Sequence, residues 1–231
     1  MRLLLFDIDG TLVDTRGSGL AALLDAVEDV FQVPRESVPA LDLAGATDGA
    51  VLRTLFQHLG RVDDLHTRQR YLECYLQHLE RRLCGDAFAG VCLPGVMGLM
   101  AELARLPEVR LGLLTGNVRA GADRKLKRFE LEGFFEEGAF GDDADDRNLL
   151  GPVAVQRFEK RLGKPIPVEE VIVIGDTVKD VACARALGAR CLAVATGVQG
   201  RTGLLESGAW HCLDDLQNTD QVVNLLTSHW V

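Results

Sequence analysis

The chain lacks the excess of positive charge that binding to nucleic acids or anionic membranes requires. It carries 25 Lys and Arg against 34 Asp and Glu, a net charge of -9. A phosphate backbone or an anionic lipid surface would be repelled by this mean field. We therefore predict no nucleic-acid partner and no membrane partner, although a local site for one small anion remains compatible with this charge.

Several sequence signatures of metal, redox and membrane function are also absent. The six cysteines show no C-x-x-C spacing, so we expect reduced thiols without a structural zinc site. No apolar stretch approaches the ~20 residues needed to cross a bilayer. The opening MRLLLF is too short for the apolar part of a signal peptide and runs directly into Asp7. We expect a cytoplasmic protein.

Two further enzyme classes find no support in the sequence. No G-x-G-x-x-G follows a strand-like run, and no G-x-S-x-G elbow is present, which argues against dinucleotide-dependent enzymes and serine hydrolases. The histidines also lack metal-ligand spacing with one another, and we expect each to be a surface or packing residue. They are His58, His66, His78, His211 and His229.

Short apolar runs that alternate with amphipathic helices are what the sequence does contain. Such runs are typical of parallel strands buried on both faces, and they predict an α/β fold with a Rossmann-like parallel sheet. The predicted strands are residues 2–6, 109–114, 139–141, 171–174, 191–195 and 210–213.

One long interval breaks this alternation. Residues 15–87 are helical in pattern throughout, as in GLAALLDAVEDVF and LHTRQRYLECYLQHLERRLC, with no strand-like run. We therefore predict a core domain formed by residues 1–14 and 88–231, with an all-helical domain, residues 15–87, inserted after the first strand.

Acidic and hydroxyl residues follow three of the predicted strands. Asp7 and Asp9 come directly after the first strand, Thr115 after the second, and Asp176 and Asp180 after the strand at 171–174. The carboxyl ends of parallel strands meet at one edge of the sheet, where ligands bind. Carboxylates gathered there repel one another unless a cation shares the site. A Mg2+ ion and an anionic, oxygen-rich substrate are thus expected.

Three ordered motifs carry a family resemblance: D-x-D-G-T at residues 7–11, T-G-N at 115–117 and G-D-T-x-x-D at 175–180. Together they resemble the haloacid dehalogenase-like superfamily of hydrolases with a helical cap, in its phosphoglycolate-phosphatase-like or beta-phosphoglucomutase-like branch. The resemblance covers nearly the whole chain. It implies a haloacid dehalogenase-like core in which residues 15–87 form the cap domain.

The resemblance also implies roles for individual residues. Asp7 would be the nucleophile that forms an aspartyl-phosphate, and Asp9 the general acid and then the base that activates water. Thr115 would bind the phosphoryl oxygens. Mg2+ would be held by Asp7, the Asp9 carbonyl and Asp176, with Asp180 either behind these ligands or bound to the ion through a water. The implied substrate-binding residues are Gly10, Thr11, Gly116 and Asn117 in the core, with Thr47, Asp48 and Arg53 as candidates from the cap. Thr47 or Asp48 could equally serve as a helix N-cap.

The sequence departs from the family pattern at the lysine that pairs with the nucleophile. Lys164 lies only 12 residues before Asp176, after the preceding helix has ended. Arg147 stands where that helix begins and is the candidate for a replacement cation. Alternatively, Arg147 neutralises its acidic neighbours. Lys125 and Lys127 are weaker alternatives, which we expect to be solvated.

These inferences predict a Mg2+-dependent phosphatase, a phosphoric monoester hydrolase, acting on a small phosphorylated metabolite. Asp9 argues against dehalogenation, which does not need an acid at that place. A sugar-phosphate mutase using the same residues, or a non-catalytic binding protein of the same fold, remains an alternative. The sequence does not indicate the oligomeric state.

Overall fold

The computed structural model describes residues 1–228. Its main feature is a parallel sheet of six strands in the order β5-β4-β1-β6-β7-β8. These strands are β1 (Arg2–Phe6), β4 (Val109–Leu114), β5 (Glu137–Ala139), β6 (Val171–Gly175), β7 (Arg190–Val194) and β8 (His211–Leu213). A short antiparallel pair, β2 (Val13–Asp14) and β3 (Val91–Cys92), stands apart.

Helices cover both faces of the sheet, as the apolar strands require. Leu4 and Phe6 of β1 contribute to the hydrophobic cluster on one face, and Leu3 and Leu5 to the cluster on the other. This alternation follows from the two-residue period of a strand, and it explains why β1 is apolar at every position. The predicted α/β fold is confirmed.

The helices that follow β3 connect the strands of the core. Those that pack on the first face include α4 (Val96–Leu103), α5 (Arg119–Arg128) and α9 (Thr219–Thr227), and those on the second face include α6 (Leu150–Leu162) and α7 (Val178–Leu187). The short α8 (Arg201–Glu206) lies between β7 and β8.

Three helices fill the segment between β2 and β3. They are α1 (Ser18–Phe31), α2 (Asp48–His58) and α3 (Leu65–Cys84), and their apolar faces form a hydrophobic cluster of their own. Inside it, Phe56 packs edge-on against Tyr71, with ring centroids 6.0 Å apart. The paired strands β2 and β3 flank this helical segment, since β2 precedes α1 and β3 follows α3. We refer to residues 15–87 as the helical insert; its boundary as a separate domain remains a prediction.

The strand boundaries differ slightly from those predicted. The sequence placed the third strand at residues 139–141, whereas β5 ends at Ala139. Because Glu137 and Gly138 are not apolar, the sequence pattern does not show where β5 begins. The β2–β3 pair was not predicted, because two-residue strands show no periodicity.

The cysteines, the helices and one histidine bear on the remaining expectations. All six cysteines are free. Within residues 1–228, no helix has the length and apolar character needed to cross a membrane. His229 lies outside the described residues.

Candidate active site

The side chains of the three motifs meet at the carboxyl ends of neighbouring strands. Asp7 follows β1, Thr115 follows β4 and Asp176 follows β6, and β1 lies between the other two strands in the sheet. All three residues line one cavity of about 530 Å³, which the helical insert covers from the opposite side. Strand order alone therefore brings together residues that are far apart in the chain.

Three carboxylates are packed together at the cavity wall, two of which line it while the third lies buried beside them. One oxygen from each of Asp7, Asp176 and Asp180 lies within 4.8 Å of the others. Burial raises the pKa of Asp176 to about 8, with repulsion from Asp7 and Asp180 adding to the effect. Burial likewise raises the pKa of Asp7 to about 6, although the charge of Arg147 lowers it. Without further positive charge nearby, Asp7 and Asp176 are therefore difficult to ionise at the same time.

This donor set fits a hard divalent cation. Carboxylate oxygens are the ligands Mg2+ prefers, and a dication would relieve the repulsion that raises the pKa of Asp7 and Asp176. The backbone also comes close to Asp176. A Cβ added at Gly10 would lie 2.3 Å from its Oδ2, and a Cβ added at Gly197 would lie 1.7 Å from it. The chain therefore closes tightly around Asp176 and leaves no space for side chains at these two glycines.

Asp180 differs from the other two acids because its oxygens are already engaged. As part of a capping box at the start of α7, its Oδ2 accepts hydrogen bonds from the backbone N–H and the hydroxyl of Thr177, at 3.0 and 2.6 Å. Its Oδ1 pairs with Arg147. Asp180 is thus anchored to the helix and fixes the arginine.

Arg147 lies in the site, beside the first aspartate. Its guanidinium is 6% exposed and reaches Asp7 Oδ1 at 3.2 Å. It also donates to the carbonyls of Leu114 and Gly45, each at 3.2 Å. The neighbouring charges of Asp180 and Asp7 raise its pKa, despite its burial. Of the two hypotheses for this residue, the geometry favours a cation for the cluster over a partner for the neighbouring surface acids.

A second cation, Lys125, organises the other side of the cavity. Its ammonium donates to Asp9 Oδ2 and to Asn117 Oδ1, both at 2.6 Å. The amide nitrogen of Asn117 in turn donates to Asp9 Oδ2 and to Thr115 Oγ1, both at 2.8 Å. A hydrogen-bonded network of Lys125, Asn117 and Thr115 thus fixes one oxygen of Asp9, which accepts bonds from Lys125 and Asn117. Within residues 1–228, the other oxygen of Asp9, Oδ1, accepts no hydrogen bond.

The expectation that Lys125 is solvated is wrong. The residue is only 4% exposed, whereas Lys127, two positions later, is exposed as expected. The helical period contained the signal: Lys125 follows buried Ala122 by three residues and precedes buried Leu126. The residue thus lies on the helix face that packs on the core. Its charge led the sequence analysis to place it on the solvent side.

Most of the predicted site residues line the cavity, but Thr11, Thr47, Arg53 and Asp180 do not. Asp7, Asp9, Gly10, Thr115, Gly116, Asn117, Arg147 and Asp176 all line it. The hydroxyl of Thr11 instead donates to Asp176 Oδ1 at 3.1 Å. Thr47 is the N-cap of α2, accepting from the Ala50 N–H at 3.1 Å and donating to the Asp145 carbonyl at 2.5 Å. Arg53 pairs with Asp145 and is half-exposed.

Asp48 is the candidate of the insert that does line the cavity. Its backbone N–H donates to the Gly116 carbonyl at 2.7 Å, and its Oδ2 accepts from the Val118 N–H at 2.8 Å. Burial raises its pKa to about 6, although the Val118 N–H and Lys125 lower it. These two bonds attach the start of α2 to the loop after β4.

Comparison with known proteins identifies the family. The model of the haloacid dehalogenase-like hydrolases matches residues 1–188. The chain belongs to this family. The predicted resemblance is therefore confirmed, and so is the prediction that the chain is a hydrolytic enzyme.

Relatives of this haloacid dehalogenase-like hydrolase include phosphatases. A phosphoglycolate phosphatase of Pseudomonas savastanoi is 26% identical over 223 residues, covering 94% of this chain and 77% of the relative. A phosphoglycolate phosphatase of Synechococcus elongatus is 28% identical over 208 residues, covering 89% of each chain. These relatives support the predicted class of phosphoric monoester hydrolases.

Solved structures show the same fold. A hydrolase from Pseudomonas syringae superimposes with a TM-score of 0.73 at 23% identity, covering 99% of this chain and 100% of the other. The match includes the helical insert as well as the sheet, since it spans nearly all of both chains.

Proposed function

We propose that this haloacid dehalogenase-like hydrolase is a Mg2+-dependent phosphatase that hydrolyses a small phosphomonoester through an aspartyl-phosphate on Asp7. One observation carries the proposal. Asp7 is buried beside a cation and two further acids, whereas Asp9, two residues later, is partly exposed with one oxygen held and the other free. The two carboxylates thus have different environments, as the two halves of a nucleophile and acid–base pair require.

Asp7 is suited to nucleophilic attack. In the proposed first step, an oxygen of Asp7 forms a bond to phosphorus while the bond to the leaving-group oxygen breaks. With a pKa of about 6, Asp7 is largely ionised at neutral pH, so a lone pair on its carboxylate oxygen is available for attack. Arg147, 3.2 Å away, orients the carboxylate and neutralises part of the charge of the phosphoryl group.

Asp9 is positioned to move the proton in both steps. Its unbonded oxygen, Oδ1, delivers a proton to the departing alkoxide and then takes one from the water that hydrolyses the aspartyl-phosphate. Lys125 and Asn117 hold Oδ2, so they fix the direction in which Oδ1 is presented. Thr115, buried at the end of β4, offers a hydroxyl to the phosphoryl oxygens, with the backbone around Gly10 and Gly116 beside it.

Asp7, the Asp9 carbonyl and Asp176 would hold Mg2+, with Asp180 fixing Arg147 behind them. Bound Mg2+ would neutralise charge on the phosphoryl group as it is transferred. Thr11, through its bond to Asp176, orients that ligand rather than binding substrate. The close approach of Gly10 to Asp176 allows the same loop to serve both the metal and the phosphoryl group.

The helical insert would serve as the cap of this site. It supplies one wall of the cavity, and hydrogen bonds from Asp48 tie it to the loop that carries Thr115 and Asn117. A cavity of about 530 Å³ suits a small metabolite. Thr47 stabilises the start of α2 as its N-cap, and the ion pair of Arg53 with Asp145 links α2 to the core.

The test is steady-state hydrolysis of an aryl phosphate by the purified protein, with and without Mg2+, beside the variant Asp7→Asn. We expect phosphate release that requires both the metal and Asp7. Asp7→Asn keeps the size of the side chain and removes its nucleophilic charge, so loss of activity in a folded variant isolates the chemistry.

The alternatives give different results in the same assay. A phosphoryl group trapped on the protein by a sugar bisphosphate, without steady release of phosphate, would indicate a mutase. Absence of both turnover and trapping, in folded protein with Mg2+ present, would refute the catalytic proposal and favour a binding protein.

A further inference from the structure

The part of the cavity that the helical insert lines, here called the outer compartment, has a composition that bears on the substrate. Its side chains include Leu20, Leu23, Leu43, Asp48, Val51 and Tyr75. Since the phosphoryl group belongs beside Asp7, the rest of the substrate must lie against these residues.

No cation of the insert faces this compartment. Among residues 1–228, the positively charged side chains that line the cavity are Lys125 and Arg147, both from the core. Arg147 is committed to Asp7 and Asp180, and Lys125 to Asp9 and Asn117. Both cations are therefore already paired with carboxylates of the core.

The compartment instead presents unused polar groups, two of which are on Tyr75 and Asp48. Tyr75 is only 5% exposed, and its hydroxyl makes no hydrogen bond within residues 1–228. Asp48 uses Oδ2 to accept from Val118, while its Oδ1 accepts no bond in the same part of the chain. Neither oxygen is among the fully buried side-chain atoms that lack a partner in residues 1–228, so both keep some exposure in the cavity that their residues line. Both groups are therefore available to a ligand.

We infer that the outer compartment selects a leaving group with an uncharged or positively charged hydrogen-bond donor, a hydroxyl or an amine, and rejects one with a second anion. This inference rests on the proposed phosphatase activity and refines its substrate class. Asp48 accepts a bond from a hydroxyl or an ammonium but repels a carboxylate, and Tyr75 adds a neutral partner. The leucines and Val51 strengthen both effects, since apolar walls screen charges poorly.

This preference would distinguish the chain from its relatives, which are named as phosphoglycolate phosphatases. Phosphoglycolate carries a carboxylate on its leaving group, which would lie in the compartment that contains Asp48. Like charges about 5 Å apart at an effective dielectric constant of about 20 repel by enough to lower affinity roughly 250-fold. We expect phosphoglycolate to be a poor substrate here.

A matched set of two-carbon phosphomonoesters tests the inference. The set is phosphoglycolate, 2-hydroxyethyl phosphate, phosphoethanolamine and ethyl phosphate, assayed with Mg2+ by phosphate release. We expect kcat/KM for the hydroxyl or amine ester to exceed that for phosphoglycolate at least about tenfold, and to exceed that for ethyl phosphate. The amine and hydroxyl esters distinguish the two kinds of donor.

Two variants connect the preference to its residues. Asp48→Asn keeps an acceptor for the Val118 N–H but removes the charge, so it should raise kcat/KM for phosphoglycolate relative to phosphoethanolamine. Tyr75→Phe should reduce the advantage of 2-hydroxyethyl phosphate over ethyl phosphate.

The outcomes separate this inference from the proposed function. Phosphoglycolate turned over as well as or better than the donor-bearing esters would overturn the inference and leave the phosphatase activity standing. No phosphate release from these esters or from an aryl phosphate would refute the activity itself. If the four esters turn over too slowly to be ranked, their inhibition of aryl-phosphate hydrolysis is ranked by the same expectation.

Discussion

Lys125 offers a sharp test of the proposed acid–base chemistry, because within residues 1–228 its ammonium pairs with Asp9 and not with Asp7. In Lys125→Met, the side chain keeps its approximate length but loses the ammonium that holds Asp9 Oδ2 at 2.6 Å. Asn117 keeps its own bond to the same oxygen, so Asp9 is loosened rather than released. We expect the protein to fold, because an apolar chain replaces a side chain that is 4% exposed.

The structure sets the size of the effect. A hydrogen bond to a charged group contributes about 1.5–3 kcal/mol. If that stabilisation is realised in the transition state, its loss lowers kcat about tenfold to a hundredfold. The remaining Asn117 bond and the partial exposure of Asp9 place the expected value toward the lower end of this range.

The assay compares two kinds of substrate. An alkyl phosphate needs a proton from Asp9 for its leaving group, whereas an aryl phosphate releases a stable phenolate with less assistance. Lys125→Met should therefore lower kcat more for the alkyl ester than for the aryl ester. Lys127→Met on the same helix is the matched control, since Lys127 is exposed. A kcat within twofold of the wild-type value for both substrates would refute the role given to Lys125.

Three further predictions follow from the buried charges and the close approach of the backbone. Arg147→Met should abolish most turnover and lower Tm, because it leaves Asp180 buried without its cation, whereas Arg147→Lys should retain more of both; near-normal kcat in Arg147→Met would contradict this. The pKa of Asp48 is raised to about 6, so its ionisation in the folded chain destabilises the protein as pH rises from about 4 to 6. Asp48→Asn should thus be more stable than the metal-free wild type by about 1–2 kcal/mol at pH 8, as measured by urea unfolding, with no advantage below about pH 4. Gly10→Ala should lose the rise in Tm that Mg2+ produces, because its Cβ would lie 2.3 Å from Asp176 Oδ2. Gly163→Ala, with a similar φ of +68° but nothing within 4 Å, should keep that rise.

The alternation of apolar strands and helices made the fold readable from the sequence. A strand such as β1, with every residue buried, can lie only in a sheet covered on both faces. The motifs were readable because strand ends at one edge of a parallel sheet converge, whatever the loops between them. These two arguments suffice to bring Asp7, Thr115 and Asp176 together from the sequence.

Residues whose surroundings depend on packing were harder to place. Thr47 and Arg53 lie within six residues of Asp48. Only Asp48 lines the cavity, because the N-terminal turn of α2 directs it toward the loop after β4 while Thr47 caps the helix and Arg53 reaches Asp145. A sequence segment can be near a site without revealing which of its side chains enters it.

By itself, the sequence determined the α/β class, the helical insert and the acidic residues that gather at the strand ends, because these follow from hydrophobic periodicity and from the direction of parallel strands. Only the tertiary structure decided which cations serve those acids and what the insert presents to the substrate. Ion pairs such as Lys125 with Asp9 join residues 116 positions apart, and charge alone does not distinguish a buried lysine from a solvated one. The free oxygen of Asp48 and the unbonded hydroxyl of Tyr75 likewise exist only because three helices close over the sheet.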